Sequence, residues 1–127
     1  MGNAREMNNP IWKFVALLPM LDPPRHDTAA TIASLHHENI SVKMITRDHV
    51  NVAKEASRLI GLGTNIQAGE DICHAPQKEK NDGIWNADGF ASVLPSVKRE
   101  IVTTIRDEFR IVTGMTGDVV SKFIISQ

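Results

Sequence analysis

The sequence predicts an α/β domain in which strands and helices alternate around one core. Short apolar runs alternate with amphipathic stretches along the 127 residues, which is typical of layered α/β domains. The stretches between the predicted strands are long enough for helices, so we expect a parallel sheet with right-handed crossovers. A hydrophobic fraction of 42% and a charged fraction of 23% are those of a folded chain and exclude a disordered tail.

Charge and cysteine content indicate which binding partners and which cellular compartment to expect. Lys and Arg number 14 against 15 Asp and Glu, a net charge of -1, so no field attracts the chain to nucleic acid. A single cysteine, Cys73, excludes an intrachain disulfide and suits a reducing compartment. No apolar run approaches the roughly 20 residues that span a bilayer. We therefore expect no nucleic-acid partner, no transmembrane segment and an intracellular location.

The first elements to be predicted are a strand and a helix. Residues 14–18 form an apolar run that indicates a buried strand, and the two prolines at 23 and 24 lack the donors that a strand needs. Asp27 is a suitable N-cap for a helix that runs to about Glu38, with Ile32 and Leu35 facing inward.

A second strand and a second helix follow. Asn39 can close the first helix, and residues 42–46 predict a strand. Residues 49–60 predict a helix that ends at Gly61 and Gly63. The residues expected on its inner face are Val52, Ala56 and Leu59.

The second half begins with a stretch of little periodicity. Residues 64–86 are polar and include an Asn-Asp-Gly turn signal, so we interpret them as a loop or an insertion. Residues 89–94 predict a short strand, and Pro95 begins a third helix. Its expected inward residues are Val97, Ile101, Val102 and Ile105. Residues 110–115 predict a last strand, and residues 119–127 have no assignment.

Polar residues follow the predicted strands at the point where each ends. Asp22, Thr46, Asp48 and Asp118 lie just past these ends, and ligands of parallel sheets bind at that edge. Lys98, early in the third helix, could reach the same edge. A hydroxyl and an ammonium group suit phosphate oxygens, and carboxylates suit Mg²⁺.

The same segments resemble a known family. Residues 17–25 are similar to the Leu-Leu-Pro-x-x-Asp-Pro-Pro-Arg stretch of plasma-membrane P-type proton pumps, and residues 114–118 match the Gly-Met-Thr-Gly-Asp of their hinge motif. The other matching segments, in the family's order, are residues 42–46, 62–65 and 87–91 and Pro95 with Lys98. Together they cover residues 10–118, so the chain resembles part of the phosphorylation domain of these ATPases.

The resemblance implies a fold, an activity and two cofactors. The fold would be an incomplete haloacid-dehalogenase-like (Rossmannoid) three-layer sandwich with a mostly parallel sheet. The family's activity is ATP hydrolysis coupled to proton export, with ATP and Mg²⁺ as cofactors. In the full-length proteins of the family, this part would lie on the cytoplasmic side of the plasma membrane.

The family's site residues carry over by position. Thr46 would hydrogen-bond the phosphoryl oxygens, Lys98 would neutralise their charge, and Asp118 would be a Mg²⁺ ligand. The residues that would shape and close the nucleotide side are Asp22, Arg25 and Asp48.

The sequence departs from the family at the centre of the site. The motif Asp-Lys-Thr-Gly-Thr occurs nowhere in these residues, so they hold no acceptor for a phosphoryl group. Arg47 replaces the glycine of Thr-Gly-Asp, which would strain a left-handed backbone. Val119 and Val120 follow Asp118, where the family has Gly-Val-Asn-Asp. In this superfamily the missing aspartate ends the central strand, so two sheet edges would be unpaired unless their strands pair directly or another segment fills the gap.

Three functional interpretations follow. The leading one is a partial phosphorylation domain over residues 11–118, with a polar extension at 1–10 and a divergent tail at 119–127, that binds ATP or phosphate but is not catalytic alone. The second is a non-catalytic interaction module that docks on a full-length pump or self-associates. The third is a partial gene product without a function.

Overall fold

The computed structural model describes residues 12–19, 23–117 and 121–126, except for the side chains of residues 121, 122 and 125. Its helices are α1 (Thr28–His37), α2 (Val50–Leu59), α3 (Gly69–His74), α4 (Gln77–Asn86) and α5 (Pro95–Asp107). Its strands are β1 (Ser41–Thr46), β2 (Ile66–Ala68), β3 (Gly89–Ala91), β4 (Thr113–Gly117) and β5 (Ser121–Ser126).

The strands form one sheet in the order β2-β3-β1-β5-β4. β3 pairs in parallel with both β1 and β2. β5 pairs antiparallel with β1 on one side and with β4 on the other. Four strands therefore point the same way and β5 alone is reversed, which confirms the predicted α/β fold with a mostly parallel sheet.

Helices cover both faces of this sheet because its side chains alternate between two apolar clusters. Val42 and Met44 of β1 join the cluster of α1 and α2, whereas Ile45 joins the cluster of α3, α4 and α5. Each face thus buries its own core, since successive strand residues point to opposite sides. The predicted three-layer arrangement is confirmed.

Several predicted elements are confirmed. β1 and α5 lie where the sequence places them, with Ile101 and Ile105 buried on the inner face of α5. α1 begins after Asp27, although Asp27 makes no side-chain capping bond. Asn39 follows this helix with φ 58, a left-handed conformation that asparagine tolerates.

The strand predicted at residues 14–18 is wrong. The structure describes residues 12–19 without regular secondary structure, and their apolar side chains are exposed, 80% for Phe14 and 83% for Leu17. A strand that is apolar on both faces needs a sheet beside it. The sheet of the described residues does not include this segment, so its side chains stay in solvent.

The inner face predicted for α2 is also wrong. Val52 and Leu59 are 58% and 47% exposed, whereas Ala53 and Ser57 are buried. The buried residues 53, 57 and 60 have the same helical spacing as the predicted residues 52, 56 and 59, but each lies one position later in the chain. The helix packs its smaller side chains against the sheet, so hydrophobicity alone indicated the wrong face.

The interpretation of residues 64–86 as a loop is wrong too. They contain β2, α3 and α4. Each element is anchored by one isoleucine that is at most 6% exposed, namely Ile66, Ile72 and Ile84. Single anchors in short elements leave no repeating apolar pattern, which is why periodicity missed them.

The last two strands differ from the prediction in length and number. β4 begins at Thr113, after Arg110 has taken a left-handed conformation with φ 54. β5 lies in the tail that had no assignment and pairs with all six residues of β1, from Ser41 with Ser126 to Thr46 with Ser121. β5 thus lies between β1 and β4, as it would if a further segment filled the expected gap in the sheet.

Candidate functional site

The carboxyl end of β1 carries a closed pair of polar side chains. Thr46 is 1% exposed, and its Oγ1 donates a hydrogen bond of 2.7 Å to Oδ2 of Asp48. The same Oγ1 accepts a hydrogen bond of 3.2 Å from the backbone N–H of Asp48. These bonds fix the turn that follows β1 and bring Thr46 and Asp48 together, whereas their predicted contact with a phosphate stays a prediction.

A neighbouring connection is bound to this turn. The backbone N–H of Ser92 donates to the Asp48 carbonyl at 2.8 Å, and that of Val93 donates to the Thr46 carbonyl at 3.1 Å. Ser92 has φ 53, a conformation that costs an L-residue about 1–2 kcal/mol. The link between β3 and α5 is thus held against the end of β1 by backbone hydrogen bonds.

Sequence reasoning did not identify Ser92. Its left-handed φ shortens the predicted strand, so that β3 ends at Ala91. The available signal was a small polar residue shortly before Pro95, a position where turns are common. That signal does not indicate which carbonyl the Ser92 amide would meet.

Lys98 lies on the first turn of α5 and is half-buried. Its backbone N–H donates to the Leu94 carbonyl at 3.0 Å. Leu94 directly follows Val93, which is bound to Thr46, so the beginning of α5 is tied to the end of β1. An approach of the Lys98 ammonium group to a phosphate at Thr46 stays a prediction.

Of the three other predicted residues, one forms an ion pair and two lie outside the described residues. Arg25 lies just before α1, and its guanidinium pairs with Asp27 at 2.6 Å in an exposed position. This pairing raises the pKa of Arg25 and lowers that of Asp27. Asp22 and Asp118 lie outside the described residues, so their predicted roles stay predictions.

Arg47 does not carry the strain that its place in the motif suggested. Arg47 is a described residue, it is not among those with positive φ, and its side chain is exposed. The turn therefore accommodates arginine without a left-handed backbone.

The described residues do not by themselves form a magnesium site. In those ranges no group of three His, Cys, Asp or Glu residues is placed to hold a metal ion. Oδ2 of Asp48 is occupied by the Thr46 hydroxyl, and Asp118 lies beyond the described ranges. None of the described helices has the length and apolar character that crossing a bilayer requires.

Comparison with known proteins identifies the relatives of this chain. No protein-family model matches it. It is 40% identical to plasma membrane ATPase 1 of Saccharomyces cerevisiae over 123 residues. The matched region is 93% of this chain and 13% of the relative. It is 40% identical over 123 residues to the plasma membrane ATPase of Kluyveromyces lactis, covering 93% of this chain and 14% of the relative.

A third relative matches a slightly shorter part of the chain. The chain is 40% identical over 116 residues to the plasma membrane ATPase of Dunaliella bioculata, covering 84% of this chain and 10% of the relative. The chain thus spans less than a sixth of the length of these relatives. With 40% identity over nearly all of its own length, it belongs to the plasma membrane ATPases, the P-type proton pumps, as a fragment of them.

Proposed function

We propose that this chain is part of a proton-pump phosphorylation domain that keeps one side of a phosphate site and does not hydrolyse ATP alone. The observation that carries the proposal is the Thr46–Asp48 pair at the carboxyl end of β1. Ligands of parallel sheets bind at that edge. The pair also stands where the sequence resembles the family's Thr-Gly-Asp motif.

The start of α5 supports a phosphate at this position. The helix begins with Pro95, and its N-cap residue Leu94 makes no side-chain capping bond. The first N–H groups of a helix have no partner within the helix, and together with the helix dipole they favour an anion there. Lys98 on the same turn would add a positive charge.

The Thr46–Asp48 bond predicts that phosphate binds weakly. The Thr46 hydroxyl has one proton to donate, and Oδ2 of Asp48 accepts it at 2.7 Å. An entering phosphate oxygen would compete with the Asp48 carboxylate for that proton, and the two anions would repel each other. The carboxylate would therefore have to turn away before Thr46 could bind phosphate.

The remaining family roles belong to the same proposal. Asp118 would be a Mg²⁺ ligand, and Asp22 and Arg25 would line the nucleotide side. The Mg²⁺ ion would screen the phosphate charge when bound. In the full-length family this domain would work on the cytoplasmic side of the plasma membrane, coupling ATP hydrolysis to proton export.

A titration with inorganic phosphate, followed by backbone amide NMR shifts, tests the binding half of the proposal. We expect shifts at residues 46–48, 92–94 and 96–98, and about tenfold weaker binding in Lys98→Met, the loss expected for one charge-assisted hydrogen bond. Lys54→Met, an exposed lysine of α2, is the matched control and should bind as the parent does. Equal binding by the Lys98 and Lys54 variants would overturn the assignment.

Incubation with γ-labelled ATP and Mg²⁺ tests the catalytic half. We expect no label on the chain, because these 127 residues contain no Asp-Lys-Thr-Gly-Thr acceptor. An acid-stable label that hydroxylamine removes would be an acyl phosphate and would contradict the proposal.

A second candidate function is an interaction module that docks on a full-length pump or on a second copy. It is favoured by the exposed apolar segment of residues 12–18. The large side chains there that are at least 80% exposed are Trp12, Phe14, Val15, Leu17 and Leu18. Co-purification with a full-length pump, and light scattering of the chain alone, test it. A monomer that retains no pump would count against this function.

A further inference from the structure

A cavity of about 380 Å³ lies at the amino end of β1, on the sheet face that α4 and α5 cover. Thr46 ends the same strand at its opposite end. The cavity is therefore separate from the candidate phosphate site. Its volume is near the lower limit for small-molecule sites, which suits a ligand with a single ring.

One part of the cavity is apolar. Ile84 and Ile105 are buried side chains in its wall, and Ile111 lies beside them, partly buried. Trp85 adds an indole ring that is 53% exposed and packs on Phe109 with ring centroids 4.8 Å apart. A ring that is held on one side and open on the other is suited to contact a flat apolar ligand.

Another part of the lining is polar and carries one positive charge. Ser41 and Ser126 are paired residues of β1 and β5, and both line the cavity with Asn39 and Lys43. None of the lining residues is acidic. The charged group at this wall is thus the Lys43 ammonium.

Hydrogen bonds hold Lys43 in place. Its Nζ donates to the Trp85 carbonyl at 2.8 Å and to the Ala87 carbonyl at 2.6 Å. An ammonium has three N–H donors, and the described residues show no acceptor for the third. Burial lowers the pKa of Lys43, and the Asp88 charge opposes that change.

We propose that this cavity binds a small amphipathic carboxylate, with its apolar ring against Trp85 and its carboxylate at Lys43. One cation matches one negative charge, whereas a phosphate dianion would bring a second charge without a partner into a partly buried site. The hydroxyl groups of Ser41 and Ser126 supply further donors for the carboxylate oxygens.

Fluorescence of Trp85 in the full chain tests the proposal. The chain has two tryptophans, so Trp12→Phe leaves the Trp85 signal alone. The probes are phenylacetate, its neutral isostere phenylacetamide and the cation phenethylamine. We expect saturable binding of phenylacetate, about tenfold weaker binding of the amide, as expected for one charge-assisted hydrogen bond, and no binding of the amine.

Two substitutions assign the two parts of the cavity. Lys43→Met should abolish the preference for phenylacetate over phenylacetamide, and Lys43→Arg should keep it. Ile111→Phe should weaken both ligands by filling the apolar part. Thermal unfolding of each variant checks that it is folded. If Lys43→Met does not fold, Ile111→Phe still tests whether the ligand binds in this cavity.

Any one of three results would overturn the proposal. They are equal affinities for phenylacetate and phenylacetamide, unchanged phenylacetate binding in Lys43→Met, and no effect of Ile111→Phe on binding. Saturating inorganic phosphate should leave phenylacetate binding unchanged, because the cavity and Thr46 lie at opposite ends of β1. Competition by phosphate would instead mean that phenylacetate binds at the phosphate site.

Discussion

Ser57 on the inner face of α2 is a buried polar residue without a visible partner. Its side chain is 0% exposed, and within the described ranges its Oγ has no hydrogen-bond partner. A buried hydroxyl that lost its water without replacement carries a desolvation cost of about 1–3 kcal/mol. Ser57 therefore reduces the stability of the layer in which it packs.

The first prediction is that Ser57→Ala stabilises the protein by about 1 kcal/mol, because it removes this cost and leaves almost no cavity. Urea unfolding measures the difference. Ser34→Ala, an exposed site on α1, should change stability by less than about 0.5 kcal/mol. Destabilisation by Ser57→Ala would mean that the hydroxyl is satisfied in solution.

The second prediction concerns Gly89 in β3. A Cβ there would lie 2.8 Å from the Met44 carbonyl oxygen and 3.0 Å from Cδ1 of Ile66. Since the nearest atom is backbone and cannot rotate away, Gly89→Ala should destabilise by about 1–3 kcal/mol, measured by the same unfolding experiment.

Gly83→Ala is the matched control for Gly89→Ala. The nearest atoms to its added Cβ belong to the flexible Gln67 side chain, with Oε1 at 3.0 Å. Gly83 lies within α4, where alanine is favoured over glycine by about 0.5–1 kcal/mol. We expect unchanged or higher stability, and similar losses in the two variants would contradict the packing argument.

At the scale of elements, β5 holds the sheet together. It pairs with β1 on one side and with β4 on the other. Ile124, 1% exposed, anchors it in the core that α3, α4 and α5 cover.

The third prediction is that Ile124→Ala destabilises by about 2–5 kcal/mol, the range for truncated buried aliphatic side chains. Met115→Ala is the control, since Met115 lies opposite Ile124 on β4 but is 43% exposed. We expect that control to lose under about 1 kcal/mol. Comparable losses would mean that β5 does not form part of the core.

Elements with several inward residues could be predicted from the sequence, and elements with one could not. α5 repeats buried residues at Val97, Ile101 and Ile105, and this spacing indicated both the helix and its inner face. α3 and α4 each have one buried isoleucine, Ile72 and Ile84, too few to show a period. β5 was missed because its apolar run, residues 123–125, is only three residues long and shows no alternation.

At the site, strand ends were predictable and backbone contacts were not. Thr46 and Asp48 could be found because polar residues that follow an apolar strand lie at the ligand-binding edge. Ser92 could not, because its role depends on a left-handed φ and on the Asp48 carbonyl across the sheet. The Lys43 cavity combines residues from four elements and the loops beside them, and no spacing along the chain indicates it.

At the scale of the whole molecule, residues 12–18 form a described segment that is rich in exposed apolar side chains. Leu17 and Leu18 are 83% and 81% exposed, and the net charge is only -1. A low net charge offers little repulsion between copies. Association through this segment is therefore opposed only weakly.

The fourth prediction is that the double variant Phe14→Ser, Leu17→Ser associates less than the parent and keeps its Tm, because both side chains lie outside the two cores. Light scattering over a range of concentrations gives the first quantity and calorimetry gives the second. A lower Tm would show that the segment packs on the domain in solution. Unchanged scattering would show that another surface drives association.

The pairing of β1 with β5 also has a kinetic consequence. Ser41 must find Ser126 across most of the chain, and strands that are distant in sequence pair slowly because the loop between them must close first. Until β5 arrives, β1 has an edge to which a strand of another molecule can bind. We therefore expect refolding to become slower and its yield to fall as the protein concentration rises. Once β5 has paired with β1, this edge is covered and the native sheet no longer offers it to another molecule.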